Sequence, residues 1–168
     1  MITSLKPLFT FALLLSIGQA YAADCNDRVA KSTPTDNFVL NGDGTVTHKV
    51  TQLTWMRCVL GQEWQNNACV GEPAIMDWET ALQGAVSLDF AGANNWRLPN
   101  VKELLAIVEE RCTFPATNAE VFPGLPGGYY WTATSGSEIY NVVVDLRQGN
   151  TDSWYKVSPS PYLFLVRD

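Results

Sequence analysis

From Phe38 onward the apolar positions follow two rhythms, and each predicts a different element. Phe38, Val39 and Leu40 precede Asn41-Gly42-Asp43-Gly44, and Thr45 to Val50 follows. Asn-Gly and Asp-Gly supply the positive φ that a tight hairpin turn needs, so a strand pair is expected there. Val46, His48 and Val50 then share one strand face. A second turn near Thr51 and Gln52 leads into another predicted strand, Leu53 to Cys58.

The period changes at Asp77. Trp78, Ala81, Leu82, Ala85 and Val86 recur at helical spacing behind Asp77, a good N-cap, and predict a helix to about Leu88. Asn100 caps a second helix, with Glu103 placed to close a capping box and Val101, Leu104, Leu105 and Val108 as its apolar stripe. Pro99 sets the approach, because the residue before a proline avoids the helical region. Thr113 to Gly128 is rich in Pro and Gly and reads as irregular. Tyr129–Thr134, Tyr140–Leu146, Ser153–Val157 and Tyr162–Arg167 read as strands, with a turn at Gln148-Gly149-Asn150. The last of these is nearly continuous apolar and predicts a central strand buried on both faces. Strand, helix, helix, strands is the order of an α+β domain with two helices packed on an antiparallel sheet and long irregular loops.

The first residues change the setting. Lys6, an apolar run from Leu8 to Ile17 and small residues at Ala20 and Ala22 form the pattern of a secretory signal peptide over residues 1–22. The run is shorter than the ~20 residues that span a bilayer. Residues 23–37 then form an N-terminal segment and 38–168 a single domain. No membrane insertion is expected after signal removal, and the expected location is the periplasm or outside the cell. Lys+Arg number 11 against Asp+Glu 17, a net charge of −6, and the leader removes only Lys6. Nucleic-acid binding needs clustered basic groups, so no nucleic acid is expected as a partner.

Four cysteines, Cys25, Cys58, Cys69 and Cys112, are an even count in an exported chain and predict two disulfides. Three connectivities are possible. Cys58–Cys69 with Cys25–Cys112 is favoured, because the first closes a short polar loop containing Gly61, Gln62, Asn66 and Asn67. No Cys-x-x-Cys pair suggests zinc. Asn41-Gly42-Asp43-Gly44 lacks the remaining ligands of a calcium loop and reads as a turn. No metal and no cofactor are expected.

A set of strings resembles a known bacterial family. They are Asn41-Gly42-Asp43-Gly44-Thr45-Val46, Leu53-Thr54-Trp55-Met56, Trp78 ahead of Ala81-Leu82, Trp96-Arg97-Leu98-Pro99-Asn100 with Glu103-Leu104-Leu105, Phe122-Pro123, Tyr130-Trp131-Thr132 and Leu165-Val166-Arg167. Together they resemble the C-terminal domain of the Legionella collagen-like adhesin, over about Phe38 to Arg167. The resemblance implies a C-type-lectin-like fold, with Trp96, Arg97, Leu98, Pro99, Glu103 and Trp131 as structural signature. In the named adhesin the domain is linked with glycosaminoglycan binding. Here an acidic balance and no collagen-like stalk set the chain apart from it.

Candidate chemistry is sparse. His48 is the only histidine and reads as a strand residue rather than a base. Cys58 with His48 would make a nucleophile pair only if the thiol stayed reduced. Glu103 and Glu110 share a helix face but lie two turns, about 10 Å, apart. Formylglycine-generating oxidases share the lectin-like fold and an Arg-Leu-Pro string, but they use reactive cysteines near the chain end, and here none follows Cys112. No catalytic residues are assigned. Arg97 could bind an anion; the resemblance implies instead that it donates to backbone carbonyls in the loop before the second helix. Trp64, Trp154 and Tyr155 sit in polar surroundings and are candidate ligand-binding aromatics. The expected function is an exported, non-catalytic binding module for a glycan or an envelope protein. A structural or assembly component of an envelope complex is the alternative, and an enzyme on the lectin-like fold is the outlier.

Overall fold

The computed structural model describes residues 23–168; the expected signal peptide lies outside them. The elements in chain order are β1 (Asp24–Cys25), a 3-10 turn (Thr35–Asn37), β2 (Phe38–Leu40), β3 (Thr45–His48), β4 (Thr54–Met56), β5 (Glu63–Gln65), β6 (Ala68–Val70), α1 (Trp78–Val86), α2 (Val101–Leu105), β7 (Cys112–Thr113), β8 (Tyr129–Ser135), β9 (Tyr140–Asp145), β10 (Asn150–Tyr155) and β11 (Val166–Arg167). The class is mixed α+β. The expected single sheet is instead several small antiparallel ones: β11-β4-β3-β2, β10-β9-β8, and the pairs β1-β7 and β5-β6.

The predicted hairpin forms where the sequence places it. Gly42 and Gly44 take φ of 82° and 85°. Asp43 Oδ1 accepts from the Thr45 N–H (3.0 Å) and hydroxyl (2.6 Å), so one of its carboxylate oxygens is committed within the turn. Gly44 has a second reason to lack a side chain, since a Cβ there would lie 2.9 Å from the Trp64 Cβ.

Both helices are capped as expected and stop early. The Asp77 side chain accepts from the Thr80 N–H, and α1 ends at Val86 rather than Leu88. Asn100 accepts from the Lys102 and Glu103 N–H groups, and the Glu103 carboxylate accepts from the Asn100 N–H, which completes the capping box. The second helix stops at Leu105 because the next N–H groups reach back only three residues, Ile107 to Leu104 and Val108 to Leu105. Val108, expected on the helix stripe, is buried just past its end.

The C-terminal segment departs most from expectation. Leu163 to Val166 are fully buried, but only Val166–Arg167 is a regular strand, paired with β4 on one side and bridged to Arg97 on the other. The segment crosses from one sheet to the other. The Trp131 N–H donates to the Tyr162 carbonyl beside β8; the Leu60 and Met56 N–H groups then donate to the Leu163 and Leu165 carbonyls beside β4. A chain that changes partners midway cannot hold one ladder register.

Two apolar clusters form the core. One joins Trp55, Leu104, Phe122, Tyr130 and Phe164; the other joins Trp96, Leu98, Trp131, Leu163 and Ala81 of α1. Leu163 and Phe164 are neighbours with opposite side-chain directions, so the crossing segment is a partition between the clusters. The irregular stretch before β8 contributes Val121, Phe122 and Leu125, all buried.

Candidate binding cleft

The cysteines form Cys25–Cys112 and Cys58–Cys69, and no thiol is free among the described residues. Cys58–Cys69 braces the β5–β6 hairpin, which the sequence shows only as a polar loop; Asn66 and Asn67 take φ of 50° and 62° at its tip. Cys25–Cys112 ties the N-terminal segment to the chain beyond α2.

That segment is also held by a buried carboxylate. Glu109 is 2 % exposed. Its Oε1 accepts from the Ser32 N–H (3.0 Å), the Ser32 hydroxyl (3.2 Å) and the Arg111 N–H (3.4 Å). Its Oε2 accepts from the Thr33 N–H (2.9 Å) and hydroxyl (3.0 Å). Burial pushes the Glu109 carboxyl up, but the converging donors of Thr33, Ser32 and Arg111 outweigh it and hold the group below its ordinary value. A cavity of about 120 Å³ beside it, lined by Lys31, Arg111 and Asn118 among others, belongs to this clamp.

The signature residues are held by one another. Arg97 donates to both Glu103 oxygens (2.8 and 3.0 Å) and to Asp168 Oδ1 (2.7 Å). This corrects the expected pairing with loop carbonyls; a single 3.4 Å contact to the Leu98 carbonyl remains of it. The Glu103 hydrogen bonds, ahead of Asp168, keep the Arg97 guanidinium firmly charged. Trp96 and Leu98 are buried, and Trp131 Nε1 donates to the Met76 carbonyl at 2.8 Å.

His48 is buried, stacked on Phe38 at 4.8 Å, with Nδ1 3.0 Å from the Thr51 hydroxyl. Burial lowers its pKa below 6.5. With Cys58 in a disulfide, the two do not make a nucleophile pair.

The three candidate aromatics do not form one surface. Trp64 lies on β5, with the buried Arg57 guanidinium 4.1 Å from its ring centroid; Arg57 also donates to the Val121 and Glu120 carbonyls. Trp154 packs against Tyr129 at 4.3 Å, and the Arg147 guanidinium covers Tyr129 in turn at 4.4 Å. Tyr155, the next residue along β10, faces the other way and is 46 % exposed.

Tyr155 opens onto a cleft of about 390 Å³, with Asp77, Trp78, Glu79, Glu138, Ile139, Lys156 and Val157 as its other walls. Three elements build it. The first turn of α1 supplies Asp77, Trp78 and Glu79, the β8–β9 turn supplies Glu138 and Ile139, and the end of β10 supplies the rest. Backbone bonds fix the assembly: the Trp78 N–H donates to the Lys156 carbonyl (2.9 Å) and the Lys156 N–H to the Ile139 carbonyl (3.0 Å). Ile139 and Val157 are 51 % and 67 % exposed. Lys156 Nζ donates to the Ser137 carbonyl (2.7 Å) and lies 4.8 Å from the Trp78 ring centroid. Asp77 is held below its usual range by the Thr80 N–H. Apart from Tyr155, sequence reasoning missed the cleft as a site. The one signal was Ile139, an apolar residue in the otherwise polar Ser-Gly-Ser-Glu turn.

What the walls present is a carboxylate-rimmed, partly apolar surface with one ammonium, Lys156, and no histidine or thiol. Among the described residues no group of three or more His, Cys, Asp or Glu is placed to hold a metal ion. What the fold and cleft define is a small α+β domain closed by two disulfides, the chemistry of an oxidising compartment outside the cytoplasm. No helix among the described residues is long and apolar enough to cross a membrane. Residues 44–167 match the Lcl C-terminal domain, and the chain belongs to that family. No curated protein and no solved structure matches it.

Proposed function

We propose that this chain is an exported, non-catalytic binding module with a C-type-lectin-like fold that holds a glycan or protein partner at the bacterial envelope. The observation that carries the reading is the half-open cleft of about 390 Å³ at Tyr155, Ile139 and Val157. What supports it is the combination that small ligand sites share, a concave and largely apolar wall with a few convergent polar groups. Family membership and the two disulfides support an extracytoplasmic role. The non-catalytic part of the reading rests on chemistry already committed elsewhere: the cysteines to disulfides, His48 to Phe38 and Thr51, Glu109 to the N-terminal clamp.

The test is a glycan array and a pull-down from envelope extract, each with the oxidised exported form and with an Ile139→Asp variant that still folds. Retention of a defined glycan, or of one protein in stoichiometric amount, with loss in the variant, is the expected result. Retention of neither would overturn the proposal.

A further inference from the structure

The cleft and the strand beside it bear on which kind of partner fits. Sugar recognition by aromatic residues needs a flat ring face left open for stacking. Here two of the three rings are engaged, Trp78 under the Lys156 ammonium and Trp154 against Tyr129; Tyr155 is tilted at 59° against Tyr140 and only partly open. Most of the bare apolar surface is aliphatic, Ile139 and Val157, beside the edge of Tyr155. Around it stand the carboxylates of Asp77, Glu79 and Glu138. The one cation, Lys156, is turned to the Ser137 carbonyl and the Trp78 ring. Apolar floor and negative rim are complementary to a ligand with apolar side chains and positive charge.

The neighbouring strand adds a backbone component. β10 is the outer strand of β10-β9-β8, and among the described residues no strand pairs with its far edge. It pairs with β9 without interruption, from Asn150 opposite Asp145 to Tyr155 opposite Tyr140. The Lys156 N–H donates inward to Ile139. In an antiparallel ladder this direction alternates along the strand, so the Thr151, Ser153 and Tyr155 backbones face outward. The Tyr155 carbonyl is taken by the Ser158 N–H and the Ser153 N–H by the Asp152 side chain, which leaves Thr151 most accessible. Beyond Tyr155 the edge ends where Trp78 binds the Lys156 carbonyl, at the mouth of the cleft.

We propose that the edge of β10 and the cleft at its end form one docking surface for an extended, basic segment of a partner protein, with Lys or Arg beside apolar residues. The segment adds a strand to β10 through main-chain hydrogen bonds and sets an apolar side chain on Ile139 and Val157, its cations facing Glu79 and Glu138. The inference rests on the binding-module reading and names its partner class.

Synthetic peptides of about ten residues, long enough to cover one strand, test it. One set alternates Lys or Arg with Leu, Val or Phe; the control set carries Glu in place of the cations. Both are titrated by fluorescence anisotropy into the oxidised protein, a Glu79→Lys/Glu138→Lys variant and an Ile139→Asp variant, each checked for an unchanged circular-dichroism spectrum. The basic set binds, about tenfold or more weaker in either variant, and slows hydrogen exchange at the Thr151 amide. Equal binding of the two sets, or of the variants, overturns the proposal. So does binding of neither set by a protein that retains a glycan lost in the Ile139→Asp variant, and there the binding-module reading survives. If neither peptide nor glycan nor envelope protein is retained, that underlying reading fails as well.

Discussion

Replacing Glu109 by Gln tests the carboxylate clamp that, beside the Cys25–Cys112 disulfide, holds residues 23–37 to the domain. The native carboxylate accepts five hydrogen bonds in a site 2 % exposed, from Ser32, Thr33 and Arg111. A glutamine keeps the shape but turns one acceptor into a donor. With the new NH₂ at the Oε2 position it meets the Thr33 N–H; at Oε1 it meets those of Ser32 and Arg111. The hydroxyls can rotate to accept, but at least one buried N–H is left facing another donor. That costs about 1–3 kcal/mol, and the surviving bonds weaken as the charge is lost, about 1 kcal/mol more in all. The sum is about 3 kcal/mol. At a urea m-value of about 2 kcal/mol/M the midpoint falls by about 1.5 M.

Acid supplies the control. The folded pKa of Glu109 lies below its ordinary value, so the unfolded chain takes up the proton first. The contribution is fully present above about pH 4.3 and is lost as the pH falls through the folded value. The deficit of Glu109→Gln therefore narrows at about pH 3. His48 titrates in both proteins and cancels in the difference. Urea denaturation of the oxidised proteins at both pH values is the assay. Midpoints within about 0.3 M at neutral pH, far less than the extrapolated loss, or a deficit that persists undiminished in acid, would refute the clamp.

Three other perturbations reach separate parts of the structure. Cys58→Ser with Cys69→Ser opens a loop of sequence separation 11; chain entropy puts the loss at about 3 kcal/mol, read as a lower thermal midpoint, and an unchanged midpoint would contradict it. Arg97→Lys keeps the charge but not the two-pronged grip on Glu103 and the reach to Asp168; the group is partly exposed, so a loss of only about 1 kcal/mol is expected in urea denaturation. The imidazole of His48 titrates below 6.5 by NMR because burial disfavours its charged form, so its contribution to stability is intact above that pH and declines below it; a midpoint at or above 6.5 would place the ring in solvent.

Local chemistry was legible in the sequence, and partnership at a distance was not. Asp77, Asn100 and Glu103 act on N–H groups within three residues of themselves, so their capping roles follow from spacing alone. The Asn-Gly-Asp-Gly turn is equally self-contained. Arg97 was misread because its acceptors lie on two other elements, Glu103 on α2 and Asp168 at the chain end. Segment 162–167 has the composition of a central strand, and its middle, Leu163 to Val166, is buried as one. No periodicity could show that its neighbours change midway, because that depends on where β8 and β4 come to lie.

The same distinction explains the site. Trp154 and Tyr155 drew attention as adjacent aromatics in polar surroundings, yet neighbours in a strand point to opposite faces. One went to Tyr129 and the second cluster, the other to the cleft. Each of the other cleft residues has an ordinary local reading: an N-cap, a helix stripe, a turn, a strand end. They converge because the Trp78 N–H meets the Lys156 carbonyl across 78 positions' difference in number. That hydrogen bond sets the first turn of α1 against the end of β10, so a site formed this way is a property of the tertiary contact. Trp78→Pro removes this N–H together with the indole that donates to the Thr132 carbonyl, yet proline suits the first turn of a helix; it should loosen the cleft beyond Trp78→Ala, which removes the indole alone, while leaving α1 formed. Retained peptide or glycan binding by Trp78→Pro, with helix content unchanged, would show that the cleft does not depend on that contact.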